Sequence, residues 1–97
     1  MSYQFVTRFI TYAEASIRDL LELYAGDVQN SVSEFRRTPL YASMGVGTRA
    51  VLMDMFRRFD DYTVRVLYAT YIRDPSADLL PLALRSLDHS ALTTRRR

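Results

Sequence analysis

Residues 48–73, TRAVLMDMFRRFDDYTVRVLYATYIR, decide the fold because they are the core of the longest segment without glycine or proline. Apolar residues recur in this segment at the spacing of one helix face, namely Leu52, Met55, Phe59, Tyr62, Val66 and Ala69. The opposite face carries charged pairs at i,i+4 spacing, which are Asp54–Arg58, Arg57–Asp61 and Asp61–Arg65. The pattern predicts one long central helix whose apolar side packs against another helix.

The N-terminal side of this segment shows the same period. Residues 4–24 are predicted to form an amphipathic helix, whose solvent face carries the pairs Glu14–Arg18 and Arg18–Glu22. Gly26 is suited to end that helix and Asp27 to cap a second, short helix over residues 28–35. One long helix with a slight bend is the alternative.

The segments that flank the central helix are predicted from their turn residues. Residues 37–47 hold Pro39, Gly45 and Gly47 and are predicted to form a loop, after which Thr48 caps the central helix. Pro75 ends that helix, since a residue before proline avoids the helical conformation. A last short helix, capped by Ser76 or Asp78, is expected to reach about residue 87.

The predicted architecture is one all-α domain over residues 1–88, followed by a basic tail at 89–97. We expect three or four helices in a globin-like or bundle arrangement, with the first and central helices antiparallel. The absence of cysteine excludes disulfides and thiolate metal sites. Neither a signal peptide nor an apolar run that could span a bilayer is visible, so a cytoplasmic location is the default expectation.

Catalysis has little support in the sequence. The single histidine, His89, has no partner at ligand spacing, and the adjacent Asp60 and Asp61 would point about 100° apart on a helix. Gly45-Val46-Gly47 is too short for a phosphate loop. We therefore expect a protein that is not an enzyme and that has no catalytic residue, metal site or cofactor.

Two kinds of partner are consistent with the surface residues. The first is another protein, or a second copy of the chain, bound through helix residues that favour interfaces, with the expected contacts Tyr62, Val66, Leu67, Tyr68 and Tyr71. The twelve aromatic residues could equally serve only to fill the core. The second is RNA, bound through basic residues, with the expected contacts Arg36, Arg37, Arg57, Arg58 and the C-terminal Arg triplet.

A series of short motifs occurs along the chain in a recognisable order. They are Ala25-Gly26-Asp27, Pro39, Ser43-Met44-Gly45, Arg57, Asp60-Asp61-Tyr62, Tyr68-Ala69 and Asp74-Pro75-Ser76. In this order they resemble the middle of phycobiliproteins, the globin-like antenna subunits of phycobilisomes, and the alignment from Met55 to Ser76 needs no gap. The resemblance implies a globin-like fold and a role in a photosynthetic antenna assembly.

Two positions depart from that family. The cysteine that carries the bilin pigment in phycobiliproteins falls on Met55, and the aspartate that binds the pyrrole nitrogens falls on Arg58. Because the chain has no cysteine, covalent pigment attachment is excluded. The resemblance therefore implies a shortened, pigment-free relative that keeps the association surface, and it leaves non-covalent bilin binding near Met55 open.

A second resemblance covers less of the chain. The run Arg57-Arg58-Phe59-Asp60-Asp61-Tyr62-Thr63-Val64 is similar to a stretch near the RNA in tobamovirus coat proteins, and Gln4-Phe5-Val6 and Tyr12-Ala13-Glu14 are similar to their N-terminal region. This resemblance implies an RNA-binding, self-assembling coat-type subunit. The leading hypothesis is the non-enzymatic assembly protein related to phycobiliproteins, and the coat-type protein is the alternative.

Overall fold

The structure is a computed structural model that describes the backbone of residues 3–95 and the side chains of residues 4–88. Over these residues the chain forms helices and no strand. In chain order the helices are α1 Tyr3–Leu23, α2 Val28–Phe35, α3 Pro39–Ala42, α4 Val46–Arg57, α5 Asp61–Arg73 and α6 Leu80–Arg95. The predicted all-α class is confirmed, although the described residues hold six helices rather than three or four.

The prediction of one long central helix is wrong. The chain leaves the helical path after Arg57 and starts α5 at Asp61, because the Asp60 carboxylate accepts a hydrogen bond from the Thr63 N–H at 2.8 Å. Between the two helices, the buried Phe59 ring packs against Phe56 with centroids 5.2 Å apart. An aspartate cap and an aromatic anchor thus divide the segment into α4 and α5.

The predicted apolar stripe is correct in α4 and displaced in α5. Leu52, Met55 and Phe59 are buried, as expected, whereas Tyr62 and Ala69 are exposed. In α5 the core side is instead formed by Thr63, Val64 and Leu67. The buried side of α5 is therefore rotated relative to the predicted stripe, and the predicted positions Tyr62 and Ala69 face solvent.

The start of α2 agrees with the sequence prediction. Gly26 has φ +95°, the left-handed conformation that a helix-ending glycine adopts. The Asp27 carboxylate accepts hydrogen bonds from the backbone N–H groups of Gln29 and Asn30. The alternative of one bent helix is wrong, because the chain has a separate helix end and helix start at this point.

The predicted loop at residues 37–47 holds the short helix α3. Thr38 caps α3 with its side chain, and Pro39 occupies the first helical position, where its missing N–H has no effect on the helix bonds. Helix α4 then begins at Val46, with Gly45 rather than the expected Thr48 at the capping position. Thr48 lies inside the first turn of α4 and is buried.

The hydrophobic core is centred on α1, which contacts α2, α4, α5 and α6. Phe35 at the end of α2 is fully buried and makes edge contacts with Tyr41 and Phe56, at centroid distances of 5.8 and 5.6 Å. The α1 side of the core consists of Ala13, Ile17, Leu20 and Leu21. Burial of these side chains is the main source of stability in so short a chain.

Two charged residues of α1 fasten the segment that leads into α6. Glu14 accepts hydrogen bonds from the N–H groups of Leu79, at 3.0 Å, and Leu80, at 2.5 Å. Arg18 donates to the carbonyl oxygens of Pro75 and Ala77. The predicted ion pairs of Arg18 with Glu14 and Glu22 are therefore wrong. Glu14 and Arg18 bind backbone groups of residues 75–80 instead, and Glu22 accepts a hydrogen bond from the Tyr71 hydroxyl.

The last helix differs from the prediction at both ends. Its first N–H groups bind Glu14 rather than Ser76 or Asp78, and Ser76 instead donates its hydroxyl to Asp74 at 2.7 Å. The backbone is helical through Arg95, so the expected end near residue 87 is wrong. Much of the predicted tail at 89–97 is thus helical, while Arg96 and Arg97 lie outside the described residues.

Candidate functional site

The outer face of α5, formed by Tyr62, Arg65, Tyr68, Ala69 and Ile72, carries large apolar side chains that contact solvent. Tyr62 is 57 % exposed, Tyr68 43 % and Ile72 62 %. Single exposed apolar residues are common on protein surfaces, but a group of them on one helix face is typical of a binding surface. We call this set of residues the α5 outer face.

Charged residues lie at both ends of the α5 outer face. Asp61 is in the first turn and Arg73 in the last turn, and both are exposed. The Asp61 carboxylate accepts a hydrogen bond from the Tyr24 hydroxyl at 3.4 Å, while Arg65 donates to the Asp61 backbone oxygen at 3.3 Å. The predicted Asp61–Arg65 ion pair is therefore replaced by a side chain–backbone contact, and the helix keeps an acidic start and a basic end.

The expected protein-contact residues fall into different environments. Leu67 is fully buried in the core, which removes it from the surface available to a partner, and Val66 is half-buried. Tyr62 and Tyr68 remain exposed. Sequence reasoning missed Ile72, although its position four residues after Tyr68 is a signal that could have identified it.

Tyr71, the fifth expected contact, is held by α1. Its hydroxyl donates to Glu22 Oε1 at 3.1 Å, and the Arg18 guanidinium carbon lies 5.8 Å from its ring centroid. The hydrogen bond to Glu22, with a further contribution from desolvation, raises the pKa of Tyr71 above its usual value. Tyr71 thus joins α5 to α1, and only part of its ring reaches the surface.

The basic residues proposed to bind RNA are partly brought together. Arg36, which follows α2, and Arg57, at the end of α4, line one cavity of about 290 Å³ together with Gln29, Val32, Tyr41 and Met53. Arg37 and Arg58 are exposed but are not among the residues that line this cavity. Arg36 and Arg57 therefore share this cavity with Tyr41.

Asp54 partly neutralises the basic end of α4. Its carboxylate lies 3.5 Å from an Arg57 nitrogen and 3.6 Å from an Arg58 nitrogen, so one acid is shared by two bases. All three side chains are more than half exposed, and such surface pairs contribute about 0–1 kcal/mol. The predicted Asp54–Arg58 pair is confirmed, whereas the Arg57–Asp61 pair is absent because the helix ends between its members.

The two positions that match the pigment site of phycobiliproteins differ in exposure, although they are adjacent on one helix turn. Met55 is buried in the core, whereas Arg58 is exposed and paired with Asp54. Within the described side chains, no group of three or more acidic or histidine residues is placed to hold a metal ion. The side chain of His89 lies outside the described residues.

A larger cavity lies between α1 and the start of α4. Its volume is about 800 Å³, and the residues that line it include Phe5, Arg8, Tyr12, Gly45, Gly47 and Thr48. We call it the α1–α4 cavity. No sequence motif indicated it, because it forms only where α1 packs beside the connection between α3 and α4.

None of the helices formed by residues 3–95 is sufficiently long and apolar to cross a membrane. Comparison of the chain with protein-family models, with curated proteins and with solved structures finds no match.

Proposed function

We propose that this protein is a helical assembly protein, in which two copies associate through the α5 outer face. The observation that carries the proposal is the exposure of Tyr62, Tyr68 and Ile72 on one side of a single helix. Apolar and aromatic residues of this kind form the centre of many protein interfaces. Their burial between two copies would add apolar contact to the modest core of a 97-residue chain.

The sequence of α5 is complementary to itself when two copies of the helix lie antiparallel. With a twofold axis beside Leu67, residues at equal distances from that position face each other across the interface. Asp61 of one copy then faces Arg73 of the other, and Tyr62 faces Ile72. Charge thus meets opposite charge and apolar side chains meet apolar side chains, which selects a second copy as the occupant of this surface.

The resemblance to phycobiliproteins extends this proposal to the biological setting. We propose a pigment-free assembly protein of the antenna type, located at a phycobilisome-like complex in the cytoplasm. The absence of cysteine is consistent with a subunit that contributes contacts rather than a covalent pigment. The copies would act as a structural unit, and their function would require no catalytic group.

The test is the molecular mass in solution as a function of protein concentration, measured by light scattering or sedimentation. We expect the mass to rise from the monomer value of 11.3 kDa toward twice that value. Ile72→Asp should hold the protein at the monomer mass, whereas Leu84→Asp, at an apolar α6 residue that is also exposed, should leave the association unchanged. A monomer at all concentrations, or equal effects of the two variants, would contradict the proposal.

A charge exchange tests the antiparallel arrangement directly. Arg73→Asp places like charges opposite each other in the proposed pair and should weaken association, as should Asp61→Arg alone. The protein that carries both substitutions should recover association, because each new charge again faces its opposite. Loss of association in the double variant as severe as in the single variants would exclude this register.

RNA binding is the second candidate, favoured by the shared cavity of Arg36, Arg57 and Tyr41. A cavity lined by two cations and an aromatic residue could take a phosphate and a base of single-stranded RNA. Fluorescence anisotropy with a single-stranded RNA oligonucleotide should then show affinity that falls with salt. Arg36→Gln with Arg57→Gln should reduce the salt dependence, whereas Arg85→Gln should not, and absence of binding at low salt removes this candidate.

A further inference from the structure

The connection between α2 and α3 carries a hydroxyl residue between two arginines and a proline, in the run Arg36-Arg37-Thr38-Pro39. Both arginines and the proline are exposed, and Thr38 is half-buried. The charges beside an acceptor hydroxyl are one feature by which protein kinases select their substrates. Two exposed cations directly before Thr38 therefore make this connection accessible to a kinase that binds basic residues.

The backbone of Thr38 has the conformation that a kinase cleft accepts. Its φ of −82° and ψ of 154° are extended values. Pro39 maintains them, because a residue before proline avoids the helical conformation. In phosphoryl transfer the acceptor oxygen has to lie in line with the bond that breaks, and an extended segment presents its hydroxyl to that approach without the unfolding of a helix.

The other serine and threonine residues with described side chains lack this combination of features. Four of them are buried, namely Ser16, Ser31, Thr48 and Thr63. Outside the helices, Ser43 has only uncharged neighbours, and Ser76 lies between Asp74 and Asp78. The remaining ones lie within α1, α2, α5 or α6. Thr38 is thus the described hydroxyl residue that joins an extended backbone to adjacent cations.

The present contacts of the Thr38 hydroxyl are local. It donates to the Phe35 carbonyl oxygen at 2.7 Å and accepts a hydrogen bond from the Tyr41 N–H at 3.3 Å. Helix α3 has only four residues, and so short a helix opens at small cost. An oxygen of a phosphate ester would still accept the Tyr41 N–H, so α3 keeps a cap after the modification.

The residues next to Thr38 can balance the charge of a phosphate group, which is about two negative charges at pH 7. In the part of the chain with described side chains, neither Arg36 nor Arg37 is in an ion pair. A guanidinium group binds phosphate oxygens through parallel hydrogen bonds. Arg36 also lines the cavity that it shares with Arg57, so a phosphate at Thr38 would lower the positive charge beside that cavity.

We propose that Thr38 is a phosphorylation site. Its Oγ1 forms a bond to the γ-phosphorus of a nucleoside triphosphate, the bond from that phosphorus to the bridging oxygen breaks, and a nucleoside diphosphate leaves. The hydroxyl proton passes to a base of the kinase. The site includes no residue of the α5 outer face, so the modification does not depend on self-association.

The test is incubation of the full chain with adenosine triphosphate and either a proline-directed kinase or a kinase that selects basic residues, followed by mass spectrometry. We expect one phosphate group per chain, located at Thr38 by fragmentation. Thr38→Val should abolish its incorporation. Thr11→Val, at an exposed threonine inside α1 that follows Arg8 by three residues, should leave incorporation unchanged.

Further variants test the residues beside the site. Pro39→Ala should slow the proline-directed kinase about tenfold, and Arg36→Gln with Arg37→Gln should slow the other kinase as much, since each change removes a contact to the enzyme. Pro75→Ala and Arg85→Gln are the matched controls, and circular dichroism checks that all variants are folded. No phosphate from either kinase, phosphate mainly at another residue, or equal effects of variants and controls would overturn the proposal.

Discussion

Helices α4 and α5 follow each other in the chain but begin in opposite ways. The start of α5 is closed by Asp60, whose carboxylate accepts the Thr63 N–H, and Asp61 adds a negative charge to the first turn. The start of α4 has Gly45 at the same position and no carboxylate at all. The negative charge at the α5 start interacts favourably with the helix dipole, and the α4 start lacks such a charge.

The residues that flank the two helix starts also differ, because only the α5 start has a pair of apolar side chains around its cap. Phe59 precedes the α5 cap and Val64 follows four residues after it, and both are buried, at the positions of a hydrophobic staple. At the corresponding positions α4 has the buried Met44 and the cation Arg49. Arg49 holds the α4 start by donating to the carbonyl oxygens of Tyr41, at 3.1 Å, and Ala42, at 2.8 Å.

The two helix starts are thus held in different ways, one by its own cap and the other by a side chain from inside the helix. At α5 all the local interactions fix the direction of the chain where it leaves α4. At α4 the chain direction is fixed by Arg49, which donates to carbonyl oxygens of α3. No side chain caps the first turn of α4. The following substitutions test this division, from the largest expected effect to the smallest.

Phe59→Ala should have the largest effect, because it removes the aromatic anchor at the α5 start. We expect a loss of about 3 kcal/mol in the free energy of unfolding, as for other buried phenylalanines. The measurement is urea denaturation followed by circular dichroism. Val46→Ala, at a fully helical but mostly exposed position of α4, is the control, and a similar small loss in both variants would contradict the anchoring role.

Arg49→Ala should cost about 1.5 kcal/mol, since it removes two charge-assisted hydrogen bonds to carbonyl oxygens. It also removes the guanidinium from the Tyr41 ring, where the distance to the centroid is 5.0 Å. Thermal unfolding compared with Arg85→Ala, on α6, measures the difference. If the two variants have the same midpoint temperature, Arg49 does not hold the α4 start.

Asp60→Ala should cost about 1 kcal/mol, the usual effect of removing a capping carboxylate. Asp60→Asn keeps an acceptor oxygen and should lose less. Hydrogen exchange at the Thr63 amide gives the local measurement, because this N–H loses its partner only in the alanine variant. Unchanged exchange at Thr63 would show that the α5 start is fixed by packing alone.

Gly45→Asp should make the start of α4 resemble that of α5. Position 45 has φ −73° and no atom within 4 Å of an added Cβ, so the backbone accepts the change. We expect a gain of only about 0.3 kcal/mol in stability, since glycine is itself a tolerable cap. Urea denaturation measures the gain, and a variant less stable than the unchanged chain would contradict the view that the α4 start lacks a side-chain cap.

Structural features that depend only on neighbouring residues could be predicted from the sequence. Gly26 and Asp27 indicated a helix end and a helix start within a few positions, and the structure places both where they were predicted. The all-α class followed from the apolar period of the chain. Such features are local, so their physical cause is contained in the segment itself.

The break between α4 and α5 was missed because it does not interrupt the apolar period. Phe59, Thr63 and Leu67 follow each other at helical spacing, and all three are buried. An aspartate inside such a pattern is interpreted as part of the solvent face, although Asp60 is in fact a cap. The α1–α4 cavity could not be predicted at all, since it depends on how two helices distant in sequence are packed.

The contacts of Glu14 and Arg18 with the segment before α6 have a consequence for the order of folding. The acceptors for the first N–H groups of the last helix lie 65 and 66 residues away, in the first helix. Closing so long a loop has an entropic cost that local contacts do not repay, and such closures are slow. Helices α2–α5 can form from nearer neighbours, so we expect the two ends of the chain to join last, and to separate together when unfolding begins.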